Sequence, residues 1–140
     1  MLHGYGGKED GNENSFDHNV IRNALKEHDM FGIVPDGGVG CFVDSPYSSK
    51  YETYMIEELI PFIDKKLPTI ADRQHRAICG VSMGGHGAIT LAFKYPQLFG
   101  SASSLSGIRR TKKQSDQRCL HPRSKQTGFS ANIYITQNQT

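Results

Sequence analysis

Gly80-Val81-Ser82-Met83-Gly84 is where residue type and spacing first point to chemistry. An apolar run from Arg76 to Val81 precedes the serine, and a helix-forming run from Gly85 to Tyr95 follows it. A serine on a sharp strand-to-helix turn presents its hydroxyl above the carboxyl edge of a sheet. It then lies beside the free amides and positive dipole end of the helix. The flanking glycines leave room, because the strand and helix backbones approach so closely that side chains at Gly80 and Gly84 would collide. This is the setting of a nucleophilic serine. A Gly-Ser turn used only for packing is the plain alternative, and the strain such a serine carries argues against it.

The elements that must position this serine are legible as apolar patterning. Ser15 can cap a helix over 16–28, with Val20, Ile21, Ala24 and Leu25 on one face. Met30 to Val34 reads as a short buried strand stopped by Pro35-Asp36-Gly37-Gly38. A second helix runs from Tyr51 to Lys66, carrying Tyr51, Met55, Leu59, Phe62 and Ile63 at helical spacing; Pro61 should bend it or shift it by a turn. Strands are expected over 76–81 and 99–105, with the elbow helix over 85–95 ended by Pro96. Alternation of this kind predicts an α/β fold, a parallel sheet with helices on its faces.

A second glycine-rich turn, His3-Gly4-Tyr5-Gly6-Gly7, opens the chain. Together with the serine motif, and with Pro35-Asp36-Gly37-Gly38, Val43-Asp44-Ser45-Pro46, Tyr51-Glu52-Thr53-Tyr54, Glu57 to Pro61 and Phe99 to Gly107, it resembles the esterase D-type branch of the α/β-hydrolases. That branch includes S-formylglutathione hydrolases, feruloyl and acetyl-xylan esterases, and mycolyltransferases. The resemblance runs from Leu2 to Gly107 and implies a partial α/β-hydrolase fold, truncated at both ends. It implies that Ser82 is the nucleophile and that the backbone N–H groups of Tyr5 and Met83 form the oxyanion hole. The loop from Asp36 to Pro46 is expected to border the acyl or alcohol pocket, with Asp36, Gly37 and Asp44 as substrate-binding candidates. No cofactor is implied, and the substrate expected is a small-molecule ester. Family members carry the acid and histidine of the triad on loops well beyond the elbow. Here the candidates there are Asp116 and His121, in sequence unlike the family's. Of the other histidines, His3 belongs to the glycine-rich turn, His86 is expected to pack on the elbow helix, and His18, His28 and His75 read as surface.

Composition sets the remaining bounds. The chain has 140 residues and a net charge of +2, the size of one domain. The charge is unevenly placed. From residue 109 to 140 there are seven basic residues and one acid, a balance of +6 that leaves −4 for the rest. With Ile133-Tyr134-Ile135 as its only apolar stretch, this segment reads as a mostly disordered basic tail beyond a 1–108 core. It lacks interleaved aromatics, so no nucleic-acid partner is expected. No apolar run is long enough to span a membrane, and the start lacks the pattern of a signal peptide, which favours a cytoplasmic setting. Cys41, Cys79 and Cys119 are far apart and in no CxxC pair, so neither a disulfide framework nor a metal site is expected. An incomplete triad predicts a fragment with little activity of its own, and missing strands predict unpaired sheet edges prone to self-association. A catalytically inactive remnant and a binding module built on the basic tail are the competing readings.

Overall fold

The computed structural model describes residues 1–6, 18–46, 49–107 and 131–135. Its first helix, α1 (His18–Lys26), buries Ile21 and Leu25 against Val34 and Met1. These two residues lie one turn apart and form a narrow stripe. Val20 and Ala24, expected on the same face, are exposed, since each sits one residue before a stripe position and so about 100° round the helix. The expected Ser15 cap lies outside the described residues.

Strand β1 (Phe31–Pro35) follows, and then a helical rod in three parts. An α-helical turn, α2 (Tyr51–Thr53), widens into a π-helical stretch (Tyr54–Leu59) and returns to α-helix in α3 (Ile60–Lys66). Pro61 supplies the physical reason. It has no N–H to donate, and in a regular α-helix its ring collides with the carbonyl four residues earlier. The wider i to i+5 pattern, in which Ile60 N–H reaches Met55 O, places the proline in the first turn of α3, where no donor is required. Tyr51, Tyr54, Met55, Leu59 and Ile63 are buried along this rod, whereas Phe62 is exposed.

Strands β2 (Ala77–Val81) and β3 (Ser101–Leu105) pair in parallel, with Ala77 opposite Ser101 and Val81 opposite Leu105. Between them the chain forms α4 (Met83–Lys94), which crosses the sheet. Residues 1–2 join β2 to β1. Leu2 N–H donates to Cys79 O at 2.7 Å, Val81 N–H donates to Leu2 O at 3.1 Å, and the Met1 amine donates to Ile33 O at 2.7 Å. The core gathers around Leu2, Phe42, Met83, Ala88 and Leu91, all without solvent exposure.

Two expectations need correction. Residues 131–135, inside the segment read as a disordered tail, form β4 (Ala131–Ile135). That strand pairs antiparallel with β1 in a two-stranded sheet of its own, while β2 and β3 keep the expected parallel pairing. Its few apolar residues could not fold alone, but a ready edge on β1 supplies a five-residue ladder of backbone partners. Cys41 is disulfide-bonded while Cys79 is free, because sequence separation says little about distance in a folded chain. Residues 109–130 lie outside the described residues.

Glu52 ties the rod to the far end of α4. Its buried carboxylate accepts hydrogen bonds from Lys94 Nζ and from the Tyr95 hydroxyl, the latter at 2.6 Å. The hydrogen bond to Glu52, with some burial, pushes the Tyr95 phenol from its ordinary 10.0 up to about 12. A raised pKa means that the stabilising contact is fully present below pH 10 and is lost as pH rises through about 12. Tyr95→Phe should therefore lower stability by a constant amount at neutral pH, and the gap from wild type should close above pH 10. Urea melts across that range, with tyrosinate absorbance as a second signal, check this.

Candidate active site

Ser82 stands between β2 and α4 with φ 50° and ψ −113°, a backbone conformation that L side chains rarely adopt. Its N–H donates to Leu105 O at 2.8 Å, anchoring the corner to β3. Its carbonyl accepts the first intrahelical bond of α4, from His86 N–H at 3.0 Å. The amides of Met83, Gly84 and Gly85 consequently have no acceptor within the helix, and they gather at its positive end. The serine side chain makes no capping hydrogen bond to them. Ser82 is half-buried, neither sealed in the core nor fully in solvent.

The glycines are required for space, as the sequence implied. A Cβ on Gly80 would lie 2.4 Å from the Gly84 carbonyl. A Cβ on Gly84 would lie 2.1 Å from Leu2 O and 2.5 Å from His3 O. That second contact brings the glycine-rich turn at residues 3–6 directly onto the start of the elbow helix. Gly6 is different: it has open space around it but φ +75°, so its role is conformational. Tyr5, between Gly4 and Gly6, exposes 58% of its surface, while Met83 is fully buried.

Asp36, Gly37 and Asp44 have internal partners. The Asp36 carboxylate, only 6% exposed, accepts Gly38 N–H at 2.7 Å and closes the turn after β1. Gly37 N–H donates to His3 Nε2 at 2.9 Å, and a Cβ on Gly37 would overlap the Phe42 ring. Burial, with the Asp36 charge among the added causes, raises the phenols of Tyr51 and Tyr54. Asp44 accepts Thr53 N–H at 3.1 Å and the Thr53 hydroxyl, and so caps the helical rod from outside it. These contacts tie all three residues into the framework beside the glycine-rich turn and the helical rod.

His75 pairs with Asp72 on the surface, a contact that lowers the Asp72 carboxyl. Asp116 and His121 lie outside the described residues. Among the described residues there is no cluster of three or more His, Cys, Asp or Glu able to hold a metal, and no helix long and apolar enough to cross a membrane. A groove of about 370 Å³ lies away from the serine, under the C-terminal half of α4, and is lined by Ile89, Phe93, Phe99 and Ala102.

Known proteins are similar to this chain in sequence and in fold. Esterase Rv1288 of Mycobacterium tuberculosis is 38% identical over 108 residues, covering 74% of this chain and 24% of that protein. The S-formylglutathione hydrolase of Rattus norvegicus is 32% identical over 108 residues, covering 61% of this chain and 38% of that one. The solved structure of FphF, a fluorophosphonate-binding serine hydrolase of Staphylococcus aureus, superposes with a TM-score of 0.65 at 20% identity, covering 89% of this chain and 48% of that one. The fold is therefore a partial α/β-hydrolase fold, and the chain spans between about a quarter and a half of these proteins. The Esterase family model matches residues 18–138, reaching past the elbow into β4. A strained serine at a strand-to-helix corner, a glycine-rich turn seated on it and this match agree: the chain belongs to the Esterase family.

Proposed function

We propose that this chain is the nucleophile-bearing part of a serine hydrolase that cleaves small-molecule carboxylic esters through an acyl-serine intermediate. The Ser82 oxygen attacks the ester carbonyl carbon while a base takes its proton. The carbonyl oxygen becomes an oxyanion held by Tyr5 N–H and Met83 N–H. Collapse expels the alcohol, which is protonated as it leaves, and water then releases the acid from the serine. The observation that carries this reading is the strained φ of Ser82 combined with the turn packed on Gly84. Such a strained corner costs about 1–3 kcal/mol, which a catalytic role for its hydroxyl would account for.

Asp116 and His121 are this chain's own candidates for the triad acid and the general base. An oxyanion hole without a base leaves about 10³–10⁴-fold over water, so slow acylation is the signature of an incomplete triad. The test is covalent labelling with a fluorophosphonate probe, read by intact mass. One adduct per chain, located on Ser82 by peptide mapping, supports the reading. Failure to label at millimolar probe over hours would favour the inactive remnant.

Self-association through β3 belongs to the same reading. Among the described residues β3 pairs on one side only, and all five of its residues are exposed, Leu105 by 58%. A second copy of the chain is the proposed occupant of that edge. Light scattering should show mass rising with concentration, and Leu105→Lys should return the chain to a monomer. A monomer at all concentrations would exclude it.

A further inference from the structure

The proposed reaction uses the amide of Tyr5 and leaves the His3 side chain without a role. His3 is nevertheless completely buried, and both of its ring nitrogens are engaged. Nε2 lies 2.9 Å from Gly37 N, which can only donate, so Nε2 must present its lone pair. The ring proton of the neutral imidazole is then on Nδ1, which lies 2.7 Å from Gly4 O and donates to it. That carbonyl and the Tyr5 N–H belong to one planar peptide unit, so fixing one fixes the direction of the other.

We infer that His3, as a neutral imidazole protonated on Nδ1, is a positioning residue that aims and polarises the Tyr5 N–H. This rests on the reading of Tyr5 as an oxyanion donor. Donation into the Gly4 carbonyl draws electron density toward oxygen and makes the N–H on the same peptide a stronger donor. Hydrogen bonds thus run in series from Gly37 N–H through the imidazole and the Gly4–Tyr5 peptide to the place where negative charge develops.

The surroundings hold the ring in that state. Phe42 meets it edge-on, with ring centroids 5.2 Å apart. Phe42 is itself fully buried and has φ 56°, and it packs against Gly87 of α4, where an added Cβ would come within 2.9 Å of the Phe42 Cβ. The imidazole is therefore braced against the same helix that carries Met83. Asp36 Oδ1 approaches Nε2 at 3.6 Å, but the Gly37 N–H occupies the lone pair between them. That carboxylate is engaged instead with Gly38 N–H.

The experiment has a direct arm and a kinetic arm. Long-range nitrogen–proton correlation spectra of the full chain at pH 7 should show His3 protonated on Nδ1 and bare on Nε2. The opposite tautomer, or an imidazolium, overturns the proposal. His3→Phe keeps a flat ring against Phe42 but removes the donor, whereas His3→Asn places an amide N–H near the Nδ1 position. The Tyr5 amide proton should move upfield in His3→Phe and return toward its wild-type position in His3→Asn. Fluorophosphonate labelling should slow by about tenfold in His3→Phe and recover in His3→Asn. An unmoved Tyr5 resonance in a folded Phe variant, or equal labelling rates across all three proteins, rules the proposal out. If the wild type does not label at all, the ester-hydrolase reading fails, yet the tautomer and the Tyr5 shift still decide the role of His3. The tautomer is read on the unmutated chain, so a variant that fails to fold does not remove the test.

Discussion

Ser82→Ala should abolish fluorophosphonate labelling while leaving the chain folded, and Ser82→Gly should abolish it while making the chain more stable. The two substitutions remove the same hydroxyl and differ only in the Cβ. At φ 50° and ψ −113° a Cβ is strained whatever is attached to it, so alanine keeps the penalty and glycine relieves it. Relief is offset by the greater freedom of glycine in the unfolded chain, worth about 0.4–1 kcal/mol. A net gain of about 1 kcal/mol remains, which for a domain of this size is about 2–6 °C in Tm. Side-by-side thermal melts and intact-mass labelling of the three proteins provide the comparison. Equal melting points for the alanine and glycine variants would mean that the corner is not strained. Persistent labelling of Ser82→Ala at the wild-type rate would move the nucleophile elsewhere.

Gly84→Ala should be strongly damaging, with the shortest backbone clash of any added methyl among the described glycines. The added Cβ would stand 2.1 Å from Leu2 O and 2.5 Å from His3 O, and these are backbone atoms that cannot rotate away. Leu2 is pinned on both sides of its peptide by β2, through Cys79 O and Val81 N–H. The methyl can be accommodated only by prying the first residues from the sheet or lifting α4 from its corner. Overpacking of this kind costs about 3 kcal/mol, toward the upper end of what such changes cost. Either movement would part the proposed oxyanion donors, Tyr5 N–H and Met83 N–H, so labelling should fall even in the fraction that folds. Gly6→Ala provides the control. Nothing lies within 4 Å of its added Cβ, and only the φ of +75° opposes it, at about 1–2 kcal/mol. A Gly84→Ala variant with the stability and labelling rate of wild type would show that the turn does not sit where the structure has it.

The first prediction rests on a corner that local sequence expresses well, the second on a contact with Leu2 and His3 that only folding makes. Close approach of a strand and a helix demands glycine at fixed positions around a serine, and that demand is met within five residues, from Gly80 to Gly84. The alternation of helices and strands is also local, because each element's buried stripe repeats at its own period. Boundaries moved by only a few residues: β1 ends at Pro35 and α4 begins at Met83. Even Pro61 announced a disturbance of its helix, though not that the disturbance would be a π-helical stretch before it.

What the sequence determined by itself, then, was the corner at Ser82, the order of elements around it and the resemblance to a family. Tertiary structure alone decided the rest. Ile133 could be recognised as strand only once β1 offered an open edge, and Cys41 proved disulfide-bonded despite its sequence separation from the other cysteines. Gly37 meets the His3 ring from 34 residues away, and Asp44 holds the start of the rod from nine residues before it. Patterning along a chain records what each residue needs from its neighbours within a turn or a strand. Hydrogen-bond partners brought together by folding leave no such periodic trace.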